Sequence, residues 1–394
     1  MIDQNKTSRE RSFYSTKSSW FKSALKNLYF SLRSLTLTLV FRTRKAAIIR
    51  QEDVLSIVVI RIDRIGDLVV SFPAIKALKE IFPRSRLAVM VRPQLMPLLK
   101  NTPWIDERIS YNGFLNSIAI LRRKHFYLAV DLLIDYPLKT AWLCFFSGAR
   151  LRLGFDIAGR GRLFNLSLRP SRKEQRLGEH TLELVKFLGS VLGVSQEKIP
   201  TSDSCILFSR EDKEFAEEFL RVRGIKSDDL IIGIHPGGQF PSQHWILGRF
   251  AALADEIYQK HRAKILILGN SNEKELVDKL SSLMKIKPIL TVGLSLNKLA
   301  AIIAHFDILV CNNSGLLHIA AALEIPTVST MGPTHPQLWS PKGDNHIVLR
   351  KELACSPCNR PVCARHDCMK LITVDEVLSG VENQISKIEN AKVS

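Results

Sequence analysis

Three short polar stretches carry residue types suited to binding a charged ligand. The first is Arg61-Ile62-Asp63-Arg64-Ile65-Gly66-Asp67, which follows the unbroken β-branched run Ile57 to Ile60. It precedes apolar residues at helical spacing: Leu68, Phe72, Ile75, Leu78 and Phe82. Such a run is the pattern of a strand buried on both faces of a parallel sheet. Asp67 then stands at the carboxyl edge of that strand, where doubly wound domains bind their ligands. The same position suits a plain helix N-cap, and spacing alone leaves both assignments open. The second stretch, Asn312-Asn313-Ser314-Gly315, feeds an expected helix over Leu316 to Leu323. Free backbone N–H groups and the helix dipole favour an anion there, Gly315 allows close approach, and His318 on the first turn can reach a ribose or phosphate. A buried helix capped by Asn and Ser is the competing assignment. The third is Pro236-Gly237-Gly238, after the apolar strand Leu230 to His235. Its glycines also permit close backbone approach. Two such loops at corresponding strand ends suit a nucleotide diphosphate.

Other chemistries lack their signatures. The chain has no G-x-x-x-x-G-K-[ST] loop, no G-x-G-x-x-G after the first strand and no G-x-S-x-G elbow, which argues against an NTPase, a dehydrogenase and an α/β-hydrolase. No D-x-D pair is present to clamp a metal, and neither a metal nor a cofactor is expected. Seven cysteines include Cys144, Cys205 and Cys311, which read as small core hydrophobes, and a run at Cys355, Cys358, Cys363 and Cys368. An odd total and no signal peptide point to a reducing compartment. The C-x2-C-x4-C-x4-C spacing contains only one close pair and matches no standard zinc pattern.

These residues need elements to hold them. Strand and helix patterns alternate twice along 394 residues, long enough for two cores. The expected architecture is α/β, two Rossmann-like domains facing a cleft, with an N-terminal amphipathic helix. The expected divisions are residues 1–53 (basic extension), 54–225 (first domain), 226–372 (second domain) and 373–394 (last helix and tail). That last helix, over about Val374 to Ile388, is expected to pack back on the first domain. Asp156 to Arg176 is rich in Arg and Gly without an apolar period. It is expected to be a cationic loop, either facing an anionic acceptor or simply solvated.

Net charge is +18, and residues 1–50 hold eleven Lys or Arg against two acids, half of the excess. Residues 1–17 are polar and expected to be disordered. From Ser18 to Phe41 the apolar stripe Phe21, Leu25, Leu28, Leu32, Leu35, Leu39 is bordered by Lys22, Lys26, Tyr29 and Arg33. This suits a helix lying in the interface of an anionic membrane, with a domain-covering helix or a targeting peptide as alternatives. The uncharged runs are too short to span a bilayer. Nucleic acid is not an expected partner.

RIDRIGDLVVSFPAIKALKEIFP, IGIHPGGQFPSQHW and NNSGLLHIAAALEIPTVSTMGPTHP resemble, in this order and spacing, the heptosyltransferases of glycosyltransferase family 9. CSPC with a later CM is also similar to that family. The resemblance covers roughly residues 55–380. It implies a GT-B fold, ADP-heptose as donor, a lipid A–core type acceptor, and inversion at the sugar. It also implies that Asp67 is the base activating the acceptor hydroxyl. Ser314, Gly315 and His318 would hold the donor nucleotide beside Gly237 and Gly238. Arg64, in the Asp67 turn, is expected on the acceptor side. Two donor positions depart from the family pattern: Gln243 stands where Lys is usual, and Asn313 where Asp is usual. One change removes a cation and the other an anion, so a different donor remains open. So do two other functions on this architecture, a sugar-nucleotide or glycolipid binding protein and a nucleotide-sugar epimerase. The expected location is the cytoplasmic face of the inner membrane.

Overall fold

An N-terminal helix, α1 (residues 27–40), leads into two parallel sheets of six strands each. The computed structural model describes residues 25, 27–41, 50–171, 175–194 and 206–393. The polar segment 1–17, with Phe21, Lys22, Lys26 and Cys205, lies outside them. In the first half the order is β1 (Ser56–Ile60), α2 (Ile65–Val69), α3 (Phe72–Ile81), β2 (Arg86–Val91), β3 (Glu107–Ser110) and α4 (Phe114–Lys124). β4 (Leu128–Asp131), α5 (Lys139–Phe146), β5 (Leu151–Phe155), β6 (Leu166–Leu168), α6 (Leu177–Val191) and α7 (Arg210–Arg221) follow. The second half begins with β7 (Ile231–His235), α8 (Leu247–His261), β8 (Lys264–Gly269), α9 (Lys274–Leu283), β9 (Ile289–Val292) and α10 (Leu296–Ile303). It ends with β10 (Ile308–Asn312), α11 (Gly315–Ala322), β11 (Thr327–Thr330), α12 (Pro336–Trp339), β12 (His346–Leu349), α13 (Asp367–Lys370) and α14 (Val374–Val393).

The first sheet runs β3-β2-β1-β4-β5-β6 and the second β12-β11-β10-β7-β8-β9, every pair parallel. Counted from its own first strand, each has the order 3-2-1-4-5-6 of a doubly wound fold. Chain direction reverses between β1 and β4, and again between β7 and β10. Ligands of such sheets bind beyond the strand ends at those two points. Ile60 pairs with Asp131 at one and His235 with Cys311 at the other. One hydrophobic core continues from the first sheet through Phe219 of α7 and Ile302 of α10 to Leu317 of α11, so the halves share apolar packing.

Several elements differ from their sequence pattern. The helix after β1 is broken into α2 and α3, because Pro73 in the first turn of α3 has no N–H to continue a ladder from α2. Asp156 to Arg176 is not wholly loop: it holds a short 3-10 turn over Arg160–Leu163 and the edge strand β6. Residues 172–174 of that stretch lie outside the described residues. β12 is a second edge strand without an expectation from sequence. α14 does not fold back on the first half. Its Val377, Val381 and Ile385 pack with Ile234 and Phe250 under the second sheet.

α1 docks on the first half, but not through its leucine stripe. Phe30 stacks on Tyr136 with centroids 4.5 Å apart. Arg33 donates to Tyr136 O at 2.9 Å and to Ala158 O at 2.7 and 3.0 Å. Leu37 is buried, and Phe41 meets Trp142 and Phe145 edge-on. Leu25, Leu28, Leu32, Leu35 and Leu39 remain on the outer face, 50–72 % exposed. Among the described residues no helix is long and apolar enough to cross a membrane.

Candidate active site

At the first switch point the chain leaves β1 through Arg61, whose side chain is fully buried. Its guanidinium meets the Asp63 carboxylate at 3.1 Å and the Asp67 carboxylate at 3.6 Å, and Nε donates to Asp67 O at 3.1 Å. One buried cation therefore sets the positions of two carboxylates. Asp67 is not the N-cap of α2. Arg64 is, and Asp67 three residues on accepts the Arg64 N–H at 3.2 Å. The helix-cap role is thus real, yet it uses one carboxylate oxygen and leaves the group partly open to solvent. Burial pushes the Asp63 carboxyl up to about 6; Arg61 opposes this and the neighbouring Asp67 and Asp131 add to it. Asp131, at the end of β4, is neutralised by an equally buried Arg160, which also donates to Leu133 O and Asp135 O. Arg64 itself projects across the cleft, its guanidinium 5.3 Å from the centre of the Phe240 ring.

At the second switch point Asn312 builds the glycine loop. Its amide donates to Pro236 O at 2.7 Å and Gly237 O at 3.0 Å, while its oxygen accepts from Trp245 N and the Thr330 hydroxyl at 2.9 and 2.8 Å. The amide is buried with all four hydrogen bonds made, which fixes the loop rigidly. A Cβ on Gly237 would strike the Glu273 carboxylate and His235 Nε2, so any other residue there would displace those two side chains. Gly238 lies against His244, whose Nε2 is 3.1 Å from Gly238 O. Gln243 closes its own turn, accepting from Phe240 N and donating to Thr334 Oγ1, both at 3.3 Å. It offers an amide and no cation. Asn313 is buried, its N–H on Thr330 O at 3.2 Å. Ser314 is the N-cap residue of α11, but its hydroxyl lies 3.0 Å from His235 Nδ1.

The two switch points are brought together by helix ends. α2 crosses the start of α11, with Gly66 under the His318 ring and Gly315 under Ile65. A Cβ on Gly66 would lie 2.6 Å from His318 Cδ2, and one on Gly315 2.7 Å from Ile65 Cβ. The close approach that Gly315 permits is therefore that of α2. His318 is buried, its ring 5.8 Å from that of Trp339. Burial lowers its pKa to about 4; Asp67 raises it and His346 lowers it further. The imidazole is neutral at pH 7 and adjoins the Asp67 carboxylate.

Arg61, Asp63 and Asn312 stand in the stretches named from sequence but without a role of their own, and His235 and Glu273 carry no expectation as site residues; all five belong to this site. For His235 and Asn312 the local signal is a polar residue ending an otherwise apolar strand, as in LIIGIH and ILVCN, and Glu273, in the turn after β8, has none. The four clustered cysteines follow β12, in a segment whose Arg360, Pro361 and His366 hydrogen-bond to Ser242 beside Gln243. Cys355 is exposed, Cys358 and Cys363 half-buried, Cys368 buried, all as free thiols. Among the described residues no three or more His, Cys, Asp or Glu are arranged to hold a metal ion.

This geometry has relatives. The chain is 24 % identical over 308 residues to lipooligosaccharide heptosyltransferase 2 of Haemophilus influenzae, covering 75 % of this chain and 88 % of that one. Its fold is similar to that of Escherichia coli ADP-heptose lps heptosyltransferase II, with a TM-score of 0.71 at 22 % identity, covering 85 % of this chain and all of that one. It is also similar to the E. coli heptosyltransferase WaaC solved with ADP, with a TM-score of 0.64 at 17 % identity over 84 % of this chain and all of that one. Residues 119–368 match the model of glycosyltransferase family 9 (heptosyltransferase), and the chain belongs to that family.

Proposed function

We propose that this glycosyltransferase moves a heptose, with inversion, from ADP-heptose to a lipopolysaccharide core-type glycolipid. The observation that carries the reading is the α2–α11 crossing, which sets the Asp67 carboxylate beside the start of α11. The acceptor hydroxyl gives its proton to Asp67 and attacks the anomeric carbon on the face opposite the diphosphate. The bond from that carbon to the diphosphate oxygen breaks, and the electron pair leaves with the phosphate. The free N–H groups at Ser314 and Gly315 stabilise the leaving charge through the start of α11, with the Gly237–Gly238 loop alongside. Arg61 fixes the carboxylate, and Arg64 and the cationic turn near Arg162 line the acceptor side. With no D-x-D pair in the sequence, the helix N-terminus takes the role that a metal clamp has in other transferases. The names of similar proteins support heptose and a lipopolysaccharide acceptor.

The same proposal places the enzyme peripherally on the cytoplasmic face of the inner membrane. Leu28, Leu32, Leu35 and Leu39 of α1 face outward while its other side is held by Phe30, Arg33, Leu37 and Phe41. Arg33 is committed to this docking, so the stripe itself supplies the membrane contact. Ala158 and Tyr136, on which α1 sits, flank the Asp131–Arg160 pair at the first switch point. The membrane would therefore lie near the acceptor side, where a lipid-linked acceptor is delivered.

The test is purified protein with ADP-heptose and a heptose-deficient core glycolipid. A product heavier by one heptose, formed with release of ADP, is expected. An isomerised nucleotide sugar without acceptor would mean an epimerase, and binding without turnover would mean a binding protein.

A further inference from the structure

His235 ends β7 as a buried side chain between two partners that come from distant parts of the chain. Its Nδ1 is 3.0 Å from the Ser314 hydroxyl at the start of α11. Its Nε2 is 3.5 Å from both carboxylate oxygens of Glu273, in the turn after β8. Glu273 is held in turn by Asn270, N–H at 2.9 Å and side-chain amide at 2.7 Å. The groups facing His235 are thus Ser314 and Glu273, with the titratable His244 beyond the Gly238 loop. Burial pushes the Glu273 carboxyl up, but the hydrogen bond from His235, the charge His235 carries when protonated, the Asn270 N–H and the charge of His244 outweigh it and hold the carboxyl below its ordinary value, so Glu273 is ionised.

An ionised carboxylate only accepts hydrogen bonds. Neutral His235 must therefore carry its proton on Nε2 and present a lone pair at Nδ1. The Ser314 hydroxyl donates to that lone pair and has no proton left for a phosphate. If His235 gains a second proton, Nδ1–H donates to Ser314 Oγ, and the hydroxyl proton turns outward to a phosphate oxygen.

We propose that His235 is a proton-linked positioning residue of the donor site, taking up a proton from solvent when a nucleoside diphosphate binds and so converting Ser314 into a donor. The added charge also supplies a cation at a site where Gln243 gives none. This rests on the assignment of the Ser314 turn to the donor diphosphate.

The test is calorimetric binding of ADP-ribose to the full chain, in two buffers of different ionisation enthalpy at about pH 8. ADP-ribose is chosen because its pyrophosphate has no group titrating near neutrality. Wild type is expected to take up protons from solvent on binding, up to roughly one per ligand. Its affinity should fall up to about tenfold per pH unit as the pH rises further. His235→Asn keeps an amide donor for Ser314 but cannot titrate, so binding should proceed without proton uptake and with a flat pH profile. Glu273→Gln should also bind without uptake, because its amide donates to Nε2 and leaves the proton on Nδ1; it stands in if His235→Asn does not fold. Wild-type binding without uptake overturns the relay and leaves the donor site intact, as does unchanged uptake in the variants. No binding of ADP-ribose by wild type overturns both.

Discussion

Gly66→Ala tests whether the crossing of α2 over α11 sets the catalytic geometry. Gly66 is helical, so alanine alone would gain about 1 kcal/mol of helix propensity. The new Cβ, however, would lie 2.6 Å from His318 Cδ2, and ordinary contact begins at 3.4 Å. Something must retreat by about 0.8 Å, and overpacking of this kind typically costs ~1–3 kcal/mol. The His318 ring is buried and backed by Trp339, so the easier movement is separation of α2 from α11. The two terms leave a net destabilisation of roughly 0–2 kcal/mol. The same movement draws Asp67 away from the Ser314 turn, and a misplacement near 1 Å can cost ~10²-fold in rate. Transfer should therefore drop by ~10–10²-fold, with only a small change in melting temperature. Gly248→Ala in α8 is the control, since its Cβ meets nothing within 4 Å. Stopped transfer assays and thermal melts on the two variants make the comparison. If Gly66→Ala turns over like wild type, the crossing does not set the distance between carboxylate and donor turn.

The pH dependence of stability should contain two opposed contributions. Asp63 rises from 3.8 to about 6 on folding, so its contribution is present at low pH and lost as pH rises through that window, roughly 3 kcal/mol in all. His318 falls from 6.5 to about 4, so its contribution is present above 6.5 and lost as pH falls, again roughly 3 kcal/mol. Between about pH 4 and 6 they nearly cancel. The stability of Asp63→Asn against denaturant should then fall toward acid and that of His318→Gln should fall toward neutral; parallel profiles for both and wild type would remove the basis for these shifts. Gln243→Lys should tighten ADP binding, as charge-assisted phosphate contacts are about twice as strong as neutral ones. Asn313→Asp should weaken it, and the double variant should be non-additive if both border one ligand; calorimetry showing additive near-zero effects would take these positions out of the donor site. Replacing Leu28, Leu32 and Leu39 by Gln should abolish binding to anionic vesicles and leave transfer to a water-soluble acceptor unchanged. Vesicle binding that survives the triple change would exclude the stripe as the membrane contact.

The sequence was most legible where local and global demands coincide. Ile57 to Ile60 reads as a strand and is one, because a β-branched run buried on both faces has no other use in a parallel sheet. The Ser314 and Gly237 turns were visible because glycine and small polar residues stand at strand ends. What escaped notice depends on residues meeting across long separations. His235 and Ser314 are 79 positions apart, and Asn312 reaches back 75 and 76 to the glycine loop. Edge strands β6 and β12 are three and four residues long, too short for a period to register. For α1 the leucine stripe was evident, but the face that docks is the less apolar one. Arg33 and Ser34 belong to it because they fit Ala158 and Gly159, a complementarity that no periodicity contains.

The central claim, that Asp67 removes the acceptor proton, is tested most directly by transfer and binding measured together on Asp67→Asn. The asparagine oxygen can still accept the Arg64 N–H that caps α2, so the fold and ADP-ribose affinity should be retained. Loss of a general base typically lowers rate ~10²–10⁴-fold. The account predicts a fall of that size at unchanged affinity; transfer by Asp67→Asn at the wild-type rate would contradict it and leave Asp67 as a helix cap alone.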